Sequence, residues 1–188
     1  GKGQWVHTSL LEAMLYMMDF QSSRWTIDHE IPGQAGNFHP TSIPTGVYAT
    51  KDGHINIAVF GGKIWERFCE AMGTPEWITD ERSKNKAGRS VNRDWLNDEI
   101  EKRLREDTSA HWIEKLNGAG VACGLINSIR EAFEEPQVQH LGMLRKVTSP
   151  RLGEQALMGQ PVTLERTPSN IVRSAPRLRV VEPPPGGQ

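Results

Sequence analysis

The densest polar chemistry in this sequence lies in Gly36-Asn37-Phe38-His39-Pro40-Thr41-Ser42, where an amide, an imidazole and two hydroxyls fall within seven residues. Side chains of these types on a loop orient a bound substrate by hydrogen bonds, and an imidazole can also carry a proton. The same stretch equally suits a plain connector. Gly61-Gly62-Lys63 has the outline of a phosphate cradle, because backbone N–H groups at a helix start attract anions. It lacks the Gly-x-x-x-x-Gly-Lys-Ser/Thr spacing of a P-loop, and no Gly-x-Gly-x-x-Gly is present. It reads first as a turn.

Other candidates are weaker. Cys123, between Gly120-Val121-Ala122 and Gly124, has no His or Lys close in sequence to lower its pKa. Cys69 follows Phe68 inside a helical pattern, so both cysteines read as buried small hydrophobes. His7, His29, His39, His54, His111 and His140 form no His-x-His or i, i+4 pair, so no metal site is expected. Arg82, Lys84, Lys86, Arg89 and Arg93 make a basic run without interleaved aromatics. It reads as a solvated face before it reads as a nucleic-acid surface.

Elements must position these residues. Ser9-Leu10-Leu11-Glu12 has capping-box spacing, and Leu11, Met14, Leu15 and Met18 follow at helical intervals. Gln21 to Thr26 leaves that helix as a polar stretch, and Ile31 to Pro40 is a Gly- and Pro-rich crossover. Val47–Thr50 and His54–Phe60 flank Lys51-Asp52-Gly53 as a hairpin whose Asp-Gly tolerates positive φ. Helices follow over Lys63–Met72, Val91–Arg105 and from a Thr108 or Ser109 cap to Gly118. Val121–Ile126 is a strand candidate, Ser128-Ile129-Arg130-Glu131 a second capping box, and Pro136 a first helical turn. Strands are expected at Leu144–Thr148 and Pro161–Leu164, and a Pro- and Gly-rich tail closes the chain.

With 188 residues, 22 Lys+Arg, 23 Asp+Glu and a net charge of -1, the chain has no footprint for bulk nucleic acid or anionic membrane. Its longest apolar stretch, Ala13 to Met18, is far below the roughly 20 residues of a membrane-spanning helix. Two distant cysteines and no signal-peptide pattern point to a reducing, cytoplasmic setting. The order of elements gives a mixed α/β module near residues 38–125 with flanks that look unfinished.

Taken together, the motifs resemble the class III CoA-transferases, the family of formyl-CoA and carnitine CoA-transferases and of α-methylacyl-CoA racemase. The resemblance rests on Gly3-Gln4-x-Val6-x-x-Ser9-Leu10-Leu11-Glu12-Ala13, Gly36-Asn37 and Pro44-x-Gly46-x-Tyr48-x-Thr50-x-Asp52-Gly53. It continues through Trp65-x-x-Phe68-Cys69, Gly120-Val121-x-Cys123-Gly124 and Glu135-Pro136-Gln137-Val138 with Gly142-Met143. Gly159-x-Pro161-Val162 and Ala175-Pro176 complete it.

The resemblance implies an α/β fold: the small α/β domain of a CoA-transferase, with a flanking helix and strands belonging to an incomplete Rossmann-like large domain. Residues 1–37 would be helix and linker from the large domain, 38–125 the small domain, 126–180 the return segment and 181–188 a flexible tail. It implies no cofactor beyond the CoA thioester substrate, acyl-CoA and carboxylic acid as partners, and interlocked homodimers in the complete protein. In the family an aspartate attacks the acyl-CoA, forms a mixed anhydride and passes CoA to an acceptor acid. That aspartate precedes the Gly-Gln-x-Val motif, so no catalytic residue is expected within this chain, which reads as a C-terminal portion inactive alone. Asn37, His39, Thr41 and Ser42 are the expected substrate-lining residues, with Asn37 holding the loop. Where formyl-CoA transferases carry a glycine run, this chain has His39-Pro40-Thr41-Ser42-Ile43, stiffened by proline, which argues against oxalate or formate as substrate. His7 replaces a common Asp, and the family's Gly and His after Ala175-Pro176 are absent, so the final helix is not expected. A racemase of the same family and a non-catalytic module are the alternatives.

Overall fold

A computed structural model describes residues 2–171, 173, 174 and 176. They fall into two compact units divided between Ile126 and Asn127, each described by itself.

The first unit is built on a three-stranded antiparallel sheet in the order β1 (Thr45–Ala49), β2 (His54–Ala58), β3 (Ala122–Leu125). The period-2 alternation of β2 buries Ile55 and Ile57 and leaves His54 and Asn56 outward. Helices cover the buried side: α3 (Gly62–Met72), α5 (Arg93–Leu104) and α6 (Ser109–Gly118). Their core contribution is Trp65, Phe68, Cys69 and Met72, then Leu96, Ile100 and Leu104, then Trp112 and Leu116. The spacing of each set is that of one helical face. Gly73 ends α3 in the left-handed conformation at φ 73°, and the Thr108 hydroxyl caps α6 by accepting from the His111 N–H.

The hairpin turn differs from expectation. Ala49 pairs with His54, leaving the four residues Thr50 to Gly53 between them, and neither Asp52 nor Gly53 adopts positive φ. Asp52 serves another purpose: its Oδ1 accepts from the Ser109 N–H at 2.7 Å, an orphan donor at the start of α6. The Thr50 and Ser109 hydroxyls also bond, at 2.7 Å. Ser109 holds the Asp52 carboxyl below its ordinary range, the backbone N–H contributing most.

The helix expected over Val91–Arg105 is present as α5 but starts only at Arg93; Val91 instead ends a separate helix, α4 (Lys86–Val91), with the break at Asn92. The Asn92 amide donates to the Gly88 carbonyl at 2.9 Å and ends α4. Val91 is therefore exposed rather than part of the α5 core face. A Cβ on Gly88 would lie 2.9 Å from the Glu81 carbonyl, so only glycine lets α4 approach that segment.

Two short helices lie at the N-terminal end, α1 (Leu10–Tyr16) and α2 (Phe20–Thr26). Residues 21–26, expected as polar chain leaving a helix, are helical because the chain turns at Asp19 (φ 50°) and starts again. Ser9 caps α1, but its hydroxyl also donates to the Glu12 carboxylate in place of the reciprocal backbone bond. Leu11, Met14, Leu15 and Met18 form a face that remains exposed.

The second unit holds α7 (Ile129–Glu134) with its reciprocal Ser128–Glu131 capping box, α8 (Pro136–Leu141), and a hairpin of β4 (Leu144–Ser149) and β5 (Gly153–Met158). Residues 161–164, expected as a strand, form none. Gly153 at φ 72° closes a tight turn that brings the strand forward to residues 153–158. The expected tail, 181–188, lies outside the described residues. Among the described residues, no helix is long and apolar enough to cross a membrane.

In the core, the Tyr48 hydroxyl donates to Asn97 Oδ1 at 2.8 Å, joining the first strand to α5. Burial pushes the Tyr48 phenol well above its ordinary range. Tyr48→Phe should lower unfolding stability by about 1–3 kcal/mol, because it strands a buried carbonyl oxygen. A urea midpoint unchanged from the parent would contradict this.

Candidate functional site

The segment from His39 to Ile43 makes no regular secondary structure, so its backbone polar groups need other partners. The His39 imidazole supplies two of them: Nδ1 accepts from the Thr41 N–H at 3.2 Å and the Ser42 N–H at 3.0 Å. An acceptor Nδ1 fixes the neutral ring as the Nε2–H tautomer. Arginines supply partners to three of its carbonyls. Arg93, at the start of α5, donates to the His39 carbonyl at 3.2 Å and the Pro40 carbonyl at 3.4 Å. Arg89, in α4, donates from Nε to the Ile43 carbonyl at 2.8 Å and from Nη1 to the Ser83 carbonyl at 2.9 Å. The ring itself is clamped, stacked on Phe20 with centroids 5.4 Å apart and edge-on to Phe60 at 6.0 Å.

Beside this loop is a cleft of about 420 Å³. His39, Thr41, Ser42 and Ile43 form one wall, Val59 to Gly62 a second, and Lys84, Asn85, Lys86 and Arg89 a third. Three of the four expected site residues are thus brought together. The Ser42 hydroxyl donates to the Val59 carbonyl at 3.2 Å, which ties the loop to the end of β2. The Thr41 hydroxyl has no hydrogen-bond partner among the described residues and is free to meet a ligand. Asn37 is exposed and does not line the cleft. It holds the loop through its backbone carbonyl, which accepts from the Val47 N–H at 3.1 Å.

Gly61 at φ 89° turns the chain from β2 into α3 and borders the cleft with Gly62. Among the described residues no side chain caps this helix, and no acidic residue stands in its first turn. The N–H groups there are available to an anion.

The basic run is a mixture rather than one solvated face. Arg82 pairs with Asp80 at 2.7 Å and lies over the Trp95 ring; Lys84 pairs with Glu81 at 2.6 Å. Arg89 is buried, only 8% exposed, with its guanidinium carbon 4.6 Å from the centroid of the Trp65 ring. Burial lowers its pKa, and no carboxylate pairs with it among the described residues. Arg89 and Arg93 belong to the basic run expected as a solvated face, and sequence reasoning gave neither them nor Phe20 and Phe60 a part in holding the loop. Nothing in the local pattern separates a carbonyl-binding arginine from a solvated one.

The thiols are unsuited to nucleophilic work. Burial pushes Cys69 up to about 12 and Cys123 up to about 11, so both are protonated at neutral pH. Among the described residues no three His, Cys, Asp or Glu side chains converge as metal ligands.

Removing the Arg93 clamp should loosen the loop. Arg93→Met is expected to speed amide hydrogen exchange at Thr41 and Ser42 roughly tenfold, the scale of one lost charge-assisted bond. Unchanged exchange at both amides would show that Arg93 does not hold the loop.

Comparison with known proteins bears on what this arrangement serves. A family model described as CoA-transferase family III matches residues 1–179. Human succinyl-CoA:glutarate CoA-transferase is 26% identical over 95% of this chain and 41% of its own length. Succinyl-CoA:mesaconate CoA-transferase of Haloarcula hispanica is 30% identical over 95% of the chain and 44% of its own length. Acetyl-CoA:oxalate CoA-transferase of Acetobacter aceti is 29% identical over 87% of the chain and 41% of its own length. The chain therefore spans less than half of these relatives. Among solved structures, a CAIB/BAIF family protein from Brucella suis superposes with TM-score 0.74 at 24% identity, over 94% of this chain and 46% of the other. That likeness supports the mixed α/β fold.

Proposed function

Because the chain belongs to CoA-transferase family III, we propose that it is the part of a CoA-transferase that bounds the acyl end of the active site. The observation that carries this reading is the clamped His39–Ile43 loop, whose free groups, the His39 Nε2–H and the Thr41 hydroxyl, are held on a cleft wall. In the reaction, an aspartate carboxylate attacks the thioester carbonyl and expels CoA as a thiolate, which attacks the aspartyl carbonyl of the mixed anhydride and releases the first acid; the acceptor carboxylate then displaces CoA from the aspartyl thioester, and the thiolate attacks the acceptor's carbonyl, giving the new acyl-CoA and freeing the aspartate. Splitting the transfer this way replaces one hard step by easier ones. The nucleophile lies outside these residues in this reading, and the protonated thiols here are no substitute.

His39 and Thr41 would orient the acyl carbon chain and its polar end, while Ser42 keeps the loop fixed on β2. A group held before substrate arrives needs no ordering during binding, which favours productive geometry. The setting is cytoplasmic, the substrates are an acyl-CoA and a carboxylic acid, and no further cofactor is needed. The exposed face of α1, Leu11, Met14, Leu15 and Met18, suits packing against a Rossmann-like large domain within an interlocked homodimer.

In the complete transferase, His39→Ala is expected to change the ratio of kcat/KM between two acyl-CoA substrates at least roughly tenfold, a few hydrogen-bond energies at most. The inhibition constant of free CoA, competing with acyl-CoA, should hold within about twofold. Equal losses for every acyl group and for CoA would overturn the assignment.

A further inference from the structure

Two aromatic rings touch the His39 imidazole, and they differ in what else they reach. Phe60 meets it edge-on and also lines the cleft, so it can contact a ligand directly. Phe20, the first residue of α2, lies stacked on the imidazole at an interplanar angle of 7° and is not among the residues that line the cleft. What Phe20 contributes to the cleft therefore passes through His39. The imidazole needs such a contact, because rotation about its Cβ–Cγ bond has no sharply preferred angle of its own. The Nδ1 lone pair lies in the ring plane, so the bonds from the Thr41 and Ser42 N–H groups require that plane to be held. Turned out of it, the ring satisfies neither amide and withdraws its Nε2–H from the cleft wall. A stacked partner resists the turn, since tilting the imidazole breaks the contact along its whole face. The Phe20 side chain is 38% exposed and lies outside the buried core cluster, so truncating it opens no cavity in the core.

We propose that Phe20 is a positioning residue for the acyl site: by stacking, it holds the His39 ring in the plane that satisfies the loop amides and presents Nε2–H to the cleft. The inference rests on the acyl-site reading above and adds to it a residue that touches no substrate. Two roles are divided within one cluster. His39 meets the acyl group, and Phe20 sets how much of the time the ring is placed to do so. The polar contacts from the amides choose which ring edge faces them, while the stack fixes the plane in which that edge lies. Neither contact does the work of the other.

The first test involves no acyl transfer and uses the 188-residue chain. Phe20→Ala should speed amide exchange at Thr41 and Ser42 at least roughly threefold, and should bring the Nδ1–H tautomer into the imidazole 15N spectrum of His39. Phe20→Tyr keeps the aromatic face and should return both readouts to those of the parent, within about twofold. Parent-like exchange and tautomer in Phe20→Ala would overturn the proposal. Acceleration spread equally over the amides of α5 and α6 would mark a structural role instead, and would overturn it as well. The second test uses the complete transferase. Phe20→Ala should shift the ratio of kcat/KM between two acyl-CoA substrates in the same direction as His39→Ala, at least roughly threefold, and should add nothing in the double variant. Losses that multiply would show Phe20 acting apart from His39 and would also overturn it. The two readings fail separately. Unchanged selectivity in His39→Ala removes the acyl-site reading, while exchange and tautomer in Phe20→Ala still decide what holds the ring. Altered selectivity in His39→Ala, with a silent Phe20→Ala, removes only the positioning role.

Discussion

Five consecutive residues, His39 to Ile43, run outside regular secondary structure with no ladder to satisfy their backbone, and the site depends on how that is solved. Unpaired buried N–H and C=O groups each cost about 1–3 kcal/mol, so a loop with none of its bonds met would not stay in one conformation. Here a ring nitrogen takes two N–H groups and two arginines take three carbonyls. Of the side chains that make these bonds, His39 and Arg89 also border the cleft.

That solution reaches back into the core. Arg89 can reach the Ile43 carbonyl because α4 is short and approaches closely at Gly88, where any side chain would strike the Glu81 carbonyl. Arg93 reaches the loop because α5 begins afresh after Asn92, with its far end locked by Leu96, Ile100 and Leu104 in the core. A single straight helix over the same residues would carry both arginines on one fixed pitch. The break gives each its own direction. Below the loop, Tyr48 and Asn97 tie β1 to α5, so strand and arginine share one rigid frame. The Asp52–Ser109 contact does the same for the far end of the hairpin and α6.

Much of this was legible in the sequence. The helical faces of Trp65, Phe68 and Met72, and of Trp112 and Leu116, follow from spacing, and Thr108 and Ser128 act as caps where their types predict. His39, Thr41 and Ser42 were recognisable as one polar cluster, and they meet in the cleft. What was not legible depended on tertiary distance. Asp52-Gly53 resembles a positive-φ turn, yet the nearby start of α6 competes for the carboxylate and wins. Arg89 and Arg93 looked like any charged helix surface, because their partners are backbone carbonyls some fifty positions away, which no local pattern encodes. The β5 strand was misplaced because a glycine turn at 153 pairs a polar segment that alternation alone does not single out.

The central claim is that the His39 ring is an acceptor at Nδ1 and thereby fixes the loop and presents Nε2–H to the cleft. Long-range 1H–15N spectra of the imidazole at a pH where it is neutral measure this directly. The account predicts a protonated Nε2, an unprotonated Nδ1, and slowly exchanging amides at Thr41 and Ser42. A ring protonated at Nδ1, with both amides exchanging as freely as exposed loop, would contradict it.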